Sequence, residues 1–297
     1  MSTALQRTFI ASLDLRCQTL TNAAYHANTT HLGSSSLKAL DREGPEYAAA
    51  YHSGLLRSDS EALSVGSAIH AILDGTYRDE YSIAPTERGY SSRVTKAFQQ
   101  MRDDMRRGGD SRTLLTSDEA TEAEKCAEAL QRVFASKYVG HRTWREPSLF
   151  WEEQTEHGAL PCKCRPDRLV DDGRRGAHYH EIKSAARIGP ADARAAFWRY
   201  GYWLQQAHYE AGIIACGAAM VETRFVFVRK APPHDVAVYV MSPQDRENAA
   251  WRWRKLVEEW SRRSATNDWG NGTLANPTTL TLGIRGDETQ LEGFDDE

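Results

Sequence analysis

The chain has 297 residues, 40% of them hydrophobic and 26% charged, which allows a full apolar core and excludes a disordered, collagenous or disulfide-scaffold protein. Its formal charge of -4 is unevenly placed: the last twelve residues, GDETQLEGFDDE, hold six acids and no base, and without them the balance is +2. A near-neutral body neither demands nor excludes a nucleic-acid partner, because a local basic channel beside an acidic site is enough.

Five cysteines, Cys17, Cys126, Cys162, Cys164 and Cys216, are odd in number and irregular in spacing, so a disulfide framework is not expected and a reducing cytoplasm fits. The opening MSTALQRTFIASLDLRC has no long apolar region and does not read as a signal peptide. No apolar run approaches membrane-spanning length, so the expectation is a cytoplasmic protein without a membrane partner.

The first third reads as helical. One serine of Ser34-Ser35-Ser36 can cap a short helix over LKAL, Pro45 opens PEYAAAYH, and Ser58 with Glu61 forms a capping box ahead of EALSVGSAIHAILDG. Helices are also expected over 92–108 and 117–137. The middle changes character: 146–155 alternates apolar and polar residues, 160–171 and 177–184 read as two further strands, and Asp171-Asp172-Gly173 supplies the turn between them. Pro190 opens a long helix to about residue 215, ETRFVFVRK and DVAVYVMS follow as strands, and Ser242-Pro243 starts a last helix carrying WRWRK. The tryptophans there are expected to pack and the arginines to be solvated. The order predicts an α/β fold, a small mixed sheet flanked by helices. It is expected as one domain over 1–264, mainly helical over 1–140 and α/β over 141–264, with a polar and acidic tail over 265–297.

The informative stretch is RPDRLVDDGRRGAHYHEIKSA. Glu181 and Lys183 are two apart on one strand and share a face. A tight turn brings Asp167, behind Pro166, alongside them. Two carboxylates and an ammonium then converge, and such a set can hold a hard divalent cation and hydrolyse a phosphodiester. Acid-x-Lys in a strand usually marks a solvated face and Pro-Asp usually a turn; the pairing at hairpin spacing is what carries the signal.

RPDRL followed by HEIKSA resembles motifs II and III of the PD-(D/E)XK nuclease superfamily. GSAIHAILDG with His70, QQAHYEAG with Gln205 and Tyr209, and the CKCRPD run narrow the resemblance to its RecE-like, lambda-exonuclease and RecB-like branch, over about residues 30 to 230. The resemblance implies a restriction-endonuclease-like core and an exonuclease acting on double-stranded DNA ends, 5′ to 3′, leaving 3′ overhangs for phage-type recombination. It implies Mg²⁺, with Mn²⁺ able to substitute, held by His70, Asp167, Glu181 and the Ile182 carbonyl, with Lys183 at the water. Where the branch has aspartate in the third motif this chain has Glu181, a mild departure. Ser34, Ser35, Ser36, Arg165, Gln205 and Tyr209 are candidate DNA contacts. A single-strand annealing protein and a ring-shaped homo-oligomer are the partners it suggests. Cys162-x-Cys164 lacks zinc spacing, and no late cysteine group is present for an iron–sulfur cluster. The rival readings are a Cas4-like or endonucleolytic repair nuclease of the same superfamily and a non-catalytic DNA-binding module.

Overall fold

The computed structural model describes residues 18–56, 64–137, 141–171 and 176–270. Cys17, the Ser58–Glu61 capping box, Asp172 and Gly173 of the expected turn, and the tail from residue 271 lie outside the described residues. The first part holds α1 (Asn22–Ala27), α2 (Ser34–Glu43), α3 (Pro45–His52), α4 (Ser64–Asp74), α5 (Tyr77–Glu80), β1 (Tyr81–Ile83), α6 (Lys96–Arg107), β2 (Thr113–Leu115) and α7 (Ser117–Lys137). The second holds β3 (Thr143–Arg145), β4 (Leu149–Thr155), β5 (Gly158–Cys164), β6 (Arg168–Asp171), β7 (Gly176–Ala185), α8 (Pro190–Tyr200), α9 (Tyr202–Ala215), β8 (Met220–Arg229), β9 (Val236–Tyr239) and α10 (Pro243–Thr266).

The main sheet runs β3-β6-β7-β8-β9. β7 and β8 pair in parallel from Gly176↔Met220 to Ala185↔Arg229, joined by the α8–α9 crossover, and the other neighbours are antiparallel. Helices cover both faces, as buried parallel strands require. On one face Leu169 and Tyr179 pack with residues of α2, α9, α10 and the β4–β5 hairpin. On the other, Ile182, Val226 and Val228 pack against α4 and α7. This is the mixed α/β architecture expected from the sequence, and no described helix is long and apolar enough to cross a membrane.

Four local expectations are corrected. The strand anticipated over 160–171 is two strands in two sheets: Pro166 has no N–H for a ladder, and the chain leaves the hairpin there to enter the main sheet. The helix from Pro190 breaks at Gly201, with φ of 61°, where a Cβ would lie 3.0 Å from Arg42 Nη2. Arg42 donates to the carbonyls of Arg199 at 2.8 Å and Trp198 at 2.7 Å, satisfying the end of α8. Gly33, not a serine, is the N-cap of α2, and no side chain caps it. In α10, Trp253 is buried but Trp251 is 62% exposed, so only the former packs as anticipated. The short parallel pair β1–β2 had no counterpart in the sequence reading.

Gly212 sits where α9 meets the hairpin. A Cβ there would lie 2.6 Å from the Trp151 ring and 2.9 Å from Cys164 Sγ. Cys162 and Cys164 are both buried in β5, on the same face by strand alternation.

Candidate active site

β7 lies between β6 and β8, so its side chains alternate between two covered faces. Tyr179, Glu181 and Lys183 share one of them. Asp167 occupies the link between β5 and β6, held from two sides. Its carbonyl accepts the Glu146 N–H at 3.1 Å, and its Oδ2 accepts the Ile182 N–H at 2.7 Å. The first of these bonds also brings Glu146, just past β3, beside it. His70 comes from α4: its Nδ1 lies 3.7 Å from Asp167 Oδ1 and 3.9 Å from Glu146 Oε1.

His70, Glu146 and Asp167 thus offer three ligand atoms within 4.8 Å of one another. One imidazole nitrogen and two carboxylate oxygens, all half-buried, form a donor set that fits a divalent cation. The electrostatics agree with that fit. Burial, then the Glu181 charge, holds the Asp167 carboxyl well above its ordinary range. Burial, then Lys183, lowers His70, leaving its imidazole neutral and able to ligate at neutral pH. Asp74, one helical turn past His70, is pushed up to about 7 by burial and by Glu146. These acids are crowded, and a bound cation relieves exactly that kind of crowding by displacing protons.

Glu181 has a different setting. It is 2% exposed. Its Oε1 accepts from Gln205 Nε2 at 2.6 Å and from the Lys183 ammonium, and its Oε2 accepts from the Tyr179 hydroxyl. Burial works against the charge on Lys183, but the Glu181 and Asp167 carboxylates outweigh it and raise that ammonium above the usual lysine range. Lys183 Nζ also lies over the Tyr202 ring, 4.8 Å from its centroid. Behind them, Lys38 of α2 donates to Gln205 Oε1 at 3.0 Å. Burial and the nearby Lys183 lower Lys38 to about 7.

The structure therefore brings His70, Asp167, Glu181, Lys183 and Gln205 into one neighbourhood. Ile182 enters it through its amide, while its side chain packs in the core on the opposite face. Arg165 pairs with Glu146 at 2.7 Å and its guanidinium lies 5.5 Å from the Tyr25 ring centroid. The Tyr209 ring lies tilted against that of Tyr179, with centroids 5.5 Å apart. Ser34 and Ser36 are buried in the first turn of α2, where Ser36 Oγ meets His52 Nδ1 at 3.0 Å, and Ser35 is exposed. Glu146 was missed by the sequence reading, which took it as the start of an alternating strand. The signal available was an acid directly before Pro147, outside the alternation proper; its φ of 39° turns it out of the strand.

An α/β core with helices on both faces and a half-buried His-Glu-Asp group beside a Glu-x-Lys strand defines the PD-(D/E)XK class. The chain belongs to the family described as "PDDEXK-like domain of unknown function (DUF3799)", which matches residues 33–270. Among solved structures it is similar to a protein from Eubacterium rectale provisionally designated an exonuclease, at TM-score 0.55 and 14% identity, covering 90% of this chain and 97% of that one. A second, SSO0001, aligns at TM-score 0.31 and 11% identity over 74% of this chain and 97% of its own, too loosely to define a fold. No curated protein matches the chain. The family and the shared fold support a nuclease of this superfamily.

Proposed function

We propose that this chain is a divalent-cation-dependent exodeoxyribonuclease that hydrolyses linear double-stranded DNA from its ends, 5′ to 3′, in the manner of the RecE-like branch. The observation that carries the reading is the convergence of His70, Glu146 and Asp167 within 4.8 Å, next to the Lys183 ammonium held against Glu181. When bound, a cation such as Mg²⁺ supplies charge neutralisation at the phosphate and activates a water. His70, Glu146 and Asp167 would hold it. The Ile182 amide fixes the Asp167 carboxylate, and Arg165 fixes that of Glu146, so neither must reorganise on binding. Glu181 anchors Lys183, and the ammonium stands ready to orient the attacking water and meet the phosphate charge. Gln205 and Lys38 keep Glu181 oriented from behind.

Release of overhangs to a single-strand annealing protein, and assembly into a ring, extend this reading by the same resemblance. The test is digestion of end-labelled linear duplex with Mg²⁺, beside a closed circle of the same sequence, by wild type and Lys183→Ala. Nucleotide release from the linear form alone, reduced about 10²–10⁴-fold in the variant, is expected from loss of a positioned proton-handling group. Cutting of the circle would favour an endonucleolytic or Cas4-like enzyme. Cation-dependent DNA binding without release would favour a non-catalytic module.

A further inference from the structure

One aromatic ring meets both lysines near the Glu-x-Lys strand. Tyr202 opens α9, directly after the left-handed Gly201. Its ring stacks on Phe225 with centroids 5.7 Å apart and meets Phe197 edge-on at 5.9 Å. In the parallel β7–β8 register Phe225 stands beside Glu181 and Phe227 beside Lys183, so the ring lies on the face of the sheet that carries that pair. From β7, Lys183 Nζ lies over this ring, 4.8 Å from its centroid; from α2, Lys38 Nζ lies over it at 5.8 Å. Both distances are within reach of the ring quadrupole. The same lysines end a chain of hydrogen bonds. Lys38 donates to Gln205 Oε1 at 3.0 Å, Gln205 donates to Glu181 Oε1 at 2.6 Å, and the Lys183 ammonium donates to that same oxygen. Tyr202 closes the circuit between the two ends of that chain.

The two attachments of Lys183 differ in kind. Glu181 takes one N–H through a directional bond, whereas an aromatic face attracts the charge and leaves the remaining donors of the ammonium for a water and a phosphate oxygen. A lysine stem is flexible, and a carboxylate alone fixes only one end of the bond it accepts. A ring held by Phe225 and Phe197 adds a second, fixed point. We propose that Tyr202 is a positioning residue of the reaction: its ring face holds the Lys183 ammonium in the direction of the attacking water. The inference rests on the nuclease reading for the reaction, but the contact between ring and ammonium stands apart from it.

Two measurements on the full chain test it. In the first, digestion of linear duplex with Mg²⁺ is followed per folded molecule. Tyr202→Leu, which removes the π-face, should lower kcat about tenfold with KM within about twofold. Tyr202→Phe, which keeps the ring, should stay within about twofold of wild type in both. In a Lys183→Ala background, Tyr202→Leu should lower the residual rate no further, because the ring acts through Lys183. An unchanged kcat in Tyr202→Leu overturns the inference. So does a loss that persists without Lys183, which marks a merely packing role, or an equal loss in Tyr202→Phe, which marks the hydroxyl. The second measurement needs no DNA: lysine is labelled with carbon-13, and the Lys183 resonances are assigned by their loss in Lys183→Ala. In wild type and Tyr202→Phe the Lys183 ε-methylene protons should lie upfield of those of the exposed lysines, and in Tyr202→Leu they should not. The wild-type reading stands even where Tyr202→Leu does not fold, and its failure overturns the contact. A ring-dependent upfield shift in a protein that never releases nucleotides keeps the contact, but removes the nuclease reading and the role of Tyr202 in it.

Discussion

The Glu146 N–H donates to the Asp167 carbonyl at 3.1 Å, and the two side chains face the same imidazole, that of His70. A backbone bond between two strand ends thereby sets the spacing of two carboxylates. Glu146 reaches its place through a left-handed φ of 39°, uncommon outside glycine. Glu146→Gln keeps an acceptor for Arg165 and removes the negative charge. The expected result is Tm within about 3 °C of wild type and nuclease activity reduced about 100-fold, read by melting and by nucleotide release.

Gln205 sits between two charges, donating to Glu181 at 2.6 Å and accepting from Lys38 at 3.0 Å. Gln205→Ala leaves the buried Glu181 carboxylate and the half-buried Lys38 amine each short of a partner. Urea denaturation should report a loss of about 1–3 kcal/mol. Activity per folded molecule should fall through kcat rather than KM, because Glu181 orients Lys183. A pure KM effect would place Gln205 on the DNA instead.

Metal-free stability should depend on pH through the same cluster. Asp74 and Asp167 have folded pKa values raised above their ordinary 3.8, Asp74 to about 7. The native state then binds more protons than the unfolded chain above pH 3.8, so these groups lower stability as pH rises toward 7. Lys38 is lowered from 10.5 to about 7, so between those values the unfolded chain binds more protons and stability rises with pH. The two trends meet in a minimum near neutrality. Because a cation must displace the carboxyl protons, the rise in Tm on adding Mn²⁺ should be larger at pH 7.5 than at pH 5.5. Melting curves with and without Mn²⁺ across this range check it, and a shift independent of pH would contradict it.

Gly212→Ala should destabilise by about 1–3 kcal/mol, since the added methyl would press on the Trp151 ring and on Cys164. Nucleotide release by the folded fraction should be unchanged. This separates packing between α9 and the hairpin from the chemistry of the site.

Periodicity and turn chemistry made most elements legible: α3 from Pro45, α10 from Ser242-Pro243, and the alternation that puts Glu181 and Lys183 on one face of β7. What escaped depends on contacts between distant segments. Gly201 reads as an ordinary residue within an apolar helix until Arg42, from α2, is seen closing the end of α8. Trp251 and Trp253 alternate by two, so on a helix they cannot share a face, and only one meets the core. Glu146 looked like the first polar residue of a strand, because its role follows from a backbone bond to Asp167, twenty-one positions away. Short strands such as β1 and β2 carry too few residues for a period to show.

The central claim is that Asp167, with Glu146 and His70, holds a divalent cation used to cut DNA. It is tested most directly by titrating Mn²⁺ into wild type and Asp167→Asn while nucleotide release from linear duplex is followed on the same samples. The Asn side chain retains an oxygen for the Ile182 amide, so the fold should persist. Wild type is expected to bind Mn²⁺ and release nucleotides, and the variant to lose both together. A variant that binds the cation as tightly as wild type and digests DNA at the same rate would contradict it.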